Sequence, residues 1–424
     1  MKKIIFTLLL LPAIVFSQSF LISNIPIPKT YIQDLDPYEC DEICMQEYID
    51  NDMIFSFLAH ATNKLENRAQ DELRTMSISI LNLGSTIISK KLHIALLLPY
   101  KKIGKYASST TNATFAYLIT KNQAFELKSY KIESESTEDI EAALELIKND
   151  GFAHVIAPLT LDGANIVSQI NPDINIFFPT INKQDSYTDS PYLYYGGIDY
   201  KAQSDLLLEE AVSPLVIFYD KSPIGKKLAH YEEDKFKYEI IEDDTNIQKV
   251  LAEDKKTILY SMPRGTTNLE DKLKENEDIQ HASFFINTPI VKTSMIMSQL
   301  TLYDANATNI LSTQINYDPL ILSMTQYNDR KDMIIANSIT KHNNVLIETN
   351  ALLSNDIKYD WINYTTTVAI DYFFNMITNS NREYDIEVVD NQMIYKIELL
   401  KPSVSRFVKY FSKPIDPGLE ERNN

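Results

Sequence analysis

Along the chain, apolar positions recur in two different rhythms. Between residues 38 and 83, Ile54, Phe55, Phe57, Leu58, Leu65, Leu73, Met76 and Ile80 fall at helical spacing, with charged residues between them. This predicts a small extension of one to three helices. From Leu92 onward the rhythm changes to strand then helix. HIALLLPY (93–100) is a continuous apolar run, the pattern of a parallel strand buried on both faces. Helix follows over 106–121 and strand over 125–134. TEDIEAALELIKND (137–150) is an amphipathic helix with Thr137 as its expected N-cap and Gly151 just past its end. Strand 153–159, helix 161–170 and strand 174–180 complete a βαβαβαβ series, which is how a doubly wound parallel sheet is written in sequence.

A second series follows a short strand at 191–198 and a helix at 199–211. Strands are expected at 213–220, 236–242, 256–262, 282–288, 308–315 and 333–339. Helices are expected at 223–234, 246–252, 266–276 and 291–303. A strong helix at 360–380 carries the single tryptophan, and residues 383–400 read as an antiparallel pair around Asn391. Two βα series in tandem imply two similar lobes. The expected organisation is a helical extension at 18–90, a first lobe at 91–211 and 340–411, a second lobe at 212–339, and a polar tail at 412–424. Residues 18–36, with Pro26, Pro28 and nearby Pro37, read as an irregular lead-in.

The first residues change the picture of where the protein works. Lys2 and Lys3 precede an apolar stretch from Ile4 to Phe16, and Val15 and Ser17 offer a small-residue cleavage signal before Gln18. Residues 1–17 are expected to be a cleaved signal peptide, which places the protein in the periplasm with no membrane insertion afterwards. Cys40 and Cys44 are the two cysteines. In an oxidising compartment they form a local disulfide clip at a helix start, or remain two free thiols.

The 424 residues carry a net charge of −18, which argues against nucleic acid as a partner. Only 9 glycines occur, and neither GxGxxG nor GxxxxGK[ST] can be written with them, so no nucleotide cofactor is expected. The six histidines include no HExxH pair, and His93 and His154 on strands read as structural groups. Ser338-Ile-Thr-Lys341 matches SxxK without its usual companions, at about chance frequency for so short a pattern. The acids Glu232, Glu233 and Asp234, with Glu242, Asp243 and Asp244, read as a solvated edge lacking calcium-loop spacing. The expectation is a protein without catalytic chemistry, cofactor or metal.

In open α/β sheets, ligands sit at the carboxyl ends of the strands. Across two facing lobes those ends hold Tyr100, Lys102, Thr160, Asn182, Tyr219, Asp220 and Asn287. Their polar and aromatic character suits a small polar ligand.

The stretches IALLLPYKKIGKYASS, HVIAPLTLDGANIVSQI, INIFFPTINK, PYLYYGGIDYKAQSDLLLEEA and SPLVIFYDKSPIGKKLA, in that order, resemble the type I periplasmic-binding-protein fold over about three quarters of the chain. Within it they are similar to the leucine-binding-like group and to the activators of penicillin-binding proteins, which carry a helical part before the binding-protein-like domain. Ala157-Pro158-Leu159 and Pro179-Thr180-Ile181-Asn182 stand where the latter group has a strand ending Gly-Pro-Leu and one ending in Asn. Two positions depart from the amino-acid receptors. Tyr100-Lys101-Lys102 replaces the Ser-Gly after the first strand, and Leu159-Thr160-Leu161 replaces the Ser/Thr-Ser pair after the third. The resemblance implies an α/β fold of two doubly wound lobes. Its departures and the helical extension favour a non-catalytic regulator of an envelope process, such as cell-wall synthesis, binding a small ligand or an envelope protein. The alternative it implies is a solute receptor of an ABC-type transporter.

Overall fold

The computed structural model describes residue 32 and residues 40–81, 91–121, 123–186, 190–243, 246–265 and 268–411. The expected signal peptide, the lead-in apart from Ile32, and the tail at 412–424 lie outside the described residues. Two compact units are present, one within residues 1–92 with 121–126, the other within 93–120 and 127–424.

The first unit contains helices Glu42–Asp50, Ile54–His60 and Arg68–Ile80. A disulfide joins Cys40 to Cys44, and the Asp41 carboxylate between them caps the first helix by accepting from Cys44 N. Phe57, Leu58 and Ala61 form a small buried core, packed by Met45, Tyr48, Ile49 and Leu73 among others.

From residue 92 the chain lays down β1 (Leu92–Leu98), β2 (Phe125–Lys131), β3 (His154–Ile156), β4 (Asn175–Phe178) and β5 (Leu193–Tyr195). It continues through β6 (Leu215–Asp220), β7 (Tyr238–Asp243), β8 (Asn246–Leu251), β9 (Thr257–Met262), β10 (Ser283–Asn287), β11 (Asn309–Ser312) and β12 (Met333–Asn337). The last strands are β13 (Glu387–Val389), β14 (Gln392–Ile394), β15 (Glu398–Pro402) and β16 (Phe407–Lys409). Two seven-stranded sheets result, ordered β13-β14-β5-β4-β3-β1-β2 and β16-β15-β12-β11-β10-β6-β9. Apart from the antiparallel β13–β14, β12–β15 and β15–β16 pairs, the central ladders are parallel. Each sheet is the centre of one lobe, as the tandem βα series predicts.

Burial explains the strand sequences. Ile94 to Leu98 and all of β10 are buried, because helices cover both faces of a parallel sheet. The helix Thr137–Asn149 turns Ile140, Ala143, Leu144 and Ile147 onto the first sheet. Its N-cap is Ser136 rather than Thr137, since the Ser136 hydroxyl accepts from Asp139 N.

Four further expectations are corrected. Residues 246–251 form β8 in a two-stranded ribbon with β7, not a helix; antiparallel pairing overrides a weak helical pattern. The helix Tyr200–Leu208 belongs with the second lobe, where Leu207 is buried with Leu215, Ile217 and Phe285, so the chain leaves the first lobe before residue 200 rather than at 211. Strands β15 and β16 complete the second sheet, so the end of the 340–411 stretch expected in the first lobe belongs to the second. Glu232 is fully buried rather than part of a solvated edge. It shares a helix face with Leu228, Ala229 and Phe236, all turned inward on Pro223–Lys237.

The lobes are therefore joined by three crossings, at 196–199, 338–343 and 395–397. The first is built on Gly196-Gly197. A Cβ on Gly197 would lie 2.3 Å from both Asn182 N and Ile181 C, backbone atoms that cannot move aside. Gly197→Ala is expected to destabilise the protein by about 2–4 kcal/mol through this overpacking, read as a lower midpoint in urea unfolding. An unchanged midpoint would show that the crossing yields.

Candidate functional site

The strand ends of the first lobe are occupied largely by the chain's own side chains. After β1, Tyr100 begins a short helix, and its hydroxyl donates to Glu133 Oε1 at 3.5 Å. Lys101 Nζ donates to the other Glu133 oxygen at 2.7 Å. That hydrogen bond holds the Glu133 carboxyl below its ordinary range. Lys102 beside it is exposed.

After β3, Thr160 stands at the N-cap position of the helix Leu161–Ile170, and its hydroxyl makes no capping bond there. Glu135 is bound there by both carboxylate oxygens, Oε1 accepting from Thr160 N at 2.7 Å and Oε2 from Thr160 Oγ1. Gly163 makes room for it, since a Cβ there would stand 2.8 Å from Glu135 Cδ. The start of a helix attracts an anion through its exposed amides and dipole. Here that anion is already part of the chain.

After β4, Asn182 is buried and ties the first crossing together. Its Oδ1 accepts from Gln184 N at 3.0 Å and its Nδ2 donates to Gly197 O at 3.3 Å. Gln184 Nε2 donates to Asp199 Oδ2 at 3.0 Å, and Asp199 Oδ1 caps the next helix through Ala202 N. Lys227 of the second lobe makes an ion pair with Asp185 of the first, beside a gap of about 40 Å3 between the lobes.

In the second lobe, Tyr219 packs against His230 with ring centroids 6.4 Å apart. Asp220 Oδ1 accepts from Ser222 N at 3.1 Å and Ser222 Oγ at 2.5 Å, and Ser222 in turn caps Pro223–Lys237. Asn287 is buried and donates through Nδ2 to Glu232 Oε2 at 2.5 Å, while Ser204 Oγ donates to Glu232 Oε1 at 2.9 Å. Burial pushes the Glu232 carboxyl up to about 8, against the smaller lowering by these hydrogen bonds.

The seven expected cleft residues do not share one cavity. Asn182 lines a space of about 510 Å3 beside the crossings, with Ser338, Gln392 and Tyr395. Asp220 lines a space of about 600 Å3 confined to the second lobe. Tyr100, Lys102, Thr160, Tyr219 and Asn287 line neither. The crossings carry a buried amide network instead. Gln203 Nε2 donates to Ser338 Oγ at 2.7 Å, Gln203 Oε1 accepts from Gln314 N at 2.9 Å, and Gln314 Oε1 accepts from Ser338 N at 2.6 Å.

The motifs of the chain resolve in the same way. Ser338 serves that network while Lys341 Nζ donates to Asp385 O at 2.7 Å, so the SxxK pattern pairs neither residue with the other. His154 meets Asn175 Nδ2 at 3.3 Å and the Phe373 ring at 5.1 Å, and burial lowers it to about 4. His93 is exposed and packs edge-on to Phe152. Glu242 and Asp243 lie on β7, and Asp244 lies outside the described residues. Among the described residues no three His, Cys, Asp or Glu side chains are placed to hold a metal ion, and no helix is long and apolar enough to cross a membrane.

Sequence reading missed Glu133, Glu135 and Glu232. The first two stand in a polar Glu-Ser-Glu-Ser run, Glu133 at the end of the expected strand 125–134, which stops at Lys131, and Glu135 in the loop beyond it. Glu232 carried a signal, its helical register with Leu228 and Phe236.

No family model matches the chain, and no curated protein matches it. Solved structures do. The substrate-binding protein LivJ of Streptococcus pneumoniae, in complex with isoleucine, is 8% identical, with a TM-score of 0.52 over 75% of this chain and 98% of its own. A putative branched-chain amino acid ABC transporter protein of Rhodospirillum rubrum is 9% identical, with a TM-score of 0.55 over 76% of this chain and 100% of its own. LpoA of Haemophilus influenzae is 10% identical, with a TM-score of 0.50 over 84% of this chain and 68% of its own. At such identities the likeness is one of architecture, and the architecture of this chain is the two-lobed fold of the type I periplasmic binding proteins.

Proposed function

We propose that this is a non-catalytic, binding-protein-like component of a bacterial envelope. It acts in the periplasm after signal cleavage and regulates an envelope process, such as cell-wall synthesis, by binding a ligand, a protein partner or both. One observation carries this reading over simple solute capture: Glu135 already fills the helix start at Thr160, one of the expected ligand-binding positions. The Glu133 contacts with Tyr100 and Lys101 and the Lys227–Asp185 pair across the lobes support it. The helical unit, absent from the resemblance to simple receptors, supplies a surface that a partner can use.

The alternative is a solute receptor, in which Tyr100, Lys102, Thr160, Asn182, Tyr219, Asp220 and Asn287 close on a small polar ligand. Similarity to LivJ in complex with isoleucine favours it. A thermal-shift panel of zwitterionic amino acids, sugars and nucleobases separates the two. With Glu135 filling the helix start at Thr160, the regulatory reading places any ligand of its own outside these three classes and expects no rise above about 1 °C with them. A saturating ligand at 100 times its Kd adds about 2.7 kcal/mol, a rise of roughly 5–10 °C. Such a rise with any one class would establish the receptor.

A further inference from the structure

The two lobes also touch away from their three crossings, and the chain alone makes these contacts. The loop between the helices Asn344–Leu352 and Trp361–Thr378 belongs to the first lobe. Asn355 Nδ2 ties it to the helix Lys105–Ile119 by donating to Ser109 O at 2.9 Å. The Asp356 carboxylate shapes its tip, accepting from Lys358 N at 2.7 Å and from Tyr359 N at 3.1 Å. Ile357 within it is buried, so Tyr359 is presented from a fixed turn. Its ring meets two rings of the second lobe. Tyr317, just after β11, lies 5.2 Å away between centroids, and Phe407 on β16 lies 6.1 Å away. Those two rings are 4.9 Å from each other. Burial holds the Tyr317 hydroxyl above its ordinary range, with Tyr359 and Asp356 of the first lobe adding to it.

The receiving side is equally fixed. β16 is an edge strand, yet the turn that joins it to β15 is clasped by Arg330, itself buried. Arg330 Nε donates to Ser403 O at 3.2 Å, and Nη2 to Val404 O at 3.0 Å. The Lys227–Asp185 ion pair makes a further contact between the lobes, from the helix after β6 to the loop after β4.

We propose that Tyr359 is a latch that holds the two lobes in one relative position without a ligand. The rings make the larger share of the hold. Their spacings fall in the range where aromatic pairs attract beyond the area they bury, about 4.5–7 Å. The Lys227–Asp185 pair is half-exposed, and such pairs contribute little. Opening the lobes parts Tyr359 from Tyr317 and Phe407 and turns apolar ring surface to water, which is unfavourable. A partner that moves one lobe against the other therefore has to draw off the loop 353–360 first. The inference goes beyond the regulatory reading and does not rest on it.

Pulsed EPR on the full chain tests this. Cys40 and Cys44 are bonded to each other and the chain has no other cysteine. Spin labels therefore go to Glu145→Cys in the first lobe and Asp271→Cys in the second, both exposed positions. The labelled chain is expected to give one narrow interlobe distance with no ligand added. Tyr359→Ala combined with Lys227→Ala is expected to bring in a second distance, its share raised at least about tenfold by the loss of two aromatic pairs. Phe407→Ala combined with Lys227→Ala, which acts from the opposite lobe, should bring in the same second distance. Tyr359→Phe keeps the ring and should keep the single distance. Two distances in the labelled chain before any latch substitution, or one unchanged distance in both alanine variants, overturns the latch. The first of those results needs no latch variant to fold. Neither bears on the ligand panel, so the regulatory reading fails or survives by its own test.

Discussion

Replacing Asp371 by Ala should cost the protein about 3–5 kcal/mol, the loss expected when one member of a buried ionic cluster is removed. Asp371 has no exposed surface. Its Oδ1 accepts from Tyr117 OH at 2.8 Å and from Glu383 N at 2.8 Å, and its Oδ2 accepts from Tyr384 N at 3.1 Å. Arg382 Nε stands 3.5 Å away as an ion pair, and its guanidinium lies over the Tyr372 ring. One carboxylate thus binds the helix Trp361–Thr378 to Lys105–Ile119 and to the segment that leads into β13. Alanine would take away the carboxylate that accepts from a buried phenol and two backbone amides and that faces the Arg382 guanidinium, and each lost bond adds its own desolvation cost. For lobes of this size the melting temperature should fall by roughly 6–20 °C. Asp371→Asn retains the volume and one acceptor and should lose distinctly less. Calorimetry on both variants decides it, and a fall of less than about 2 °C in the alanine variant would mean that water replaces the carboxylate.

The second large effect is a dependence on pH centred on Glu232. Burial raises this carboxyl from an ordinary value of 4.5 to about 8 in the folded chain. The unfolded chain gives up the proton near 4.5, whereas the folded chain keeps it. Between those values the folded state binds more protons than the unfolded state, so stability falls as pH rises. Below pH 4.5 the burden is absent, and above about 8 it is complete. Each pH unit in the window is worth at most about 1.4 kcal/mol. Glu232→Gln keeps a polar group for Ser204 and Asn287 without a charge to bury. The variant should match the parent near pH 5 and exceed it by up to roughly 4 kcal/mol near pH 8. Urea unfolding across pH 5–8 measures the difference, and parallel curves for the two proteins would refute it.

The architecture was legible because its signal is repeated. Parallel strands such as HIALLLPY are apolar on both faces, helices such as 137–150 keep one apolar stripe, and the alternation of the two specifies two doubly wound lobes. Lobe membership was harder. Leu207 and Leu208 look the same whether they cover the first sheet or the second, and β15 pairs with β12 by register rather than by any local mark. The site was the least legible part. Tyr100 and Thr160 stand at strand ends as expected, yet their partners Glu133 and Glu135 come from a loop with no pattern. Long-range hydrogen bonding of that kind leaves no periodicity to read. Glu232 is the exception, since its register with Leu228 and Phe236 was there to be weighed against its neighbours' charge.

The three crossings have a consequence for how the molecule is made. Strand β5 waits for β14, whose Gln392 pairs with Tyr195 across roughly two hundred intervening positions. The second sheet waits longer, until β15 and β16 have joined β12. Neither half can close its ladder while the chain is still being delivered, so nearly all of it must be present before either core is sealed. Assembly of this kind is slow, because distant segments must meet before their contacts repay the lost chain entropy. In that interval the unpaired edges of β5 and β12 are open to other chains, and a holding chaperone has most to protect there.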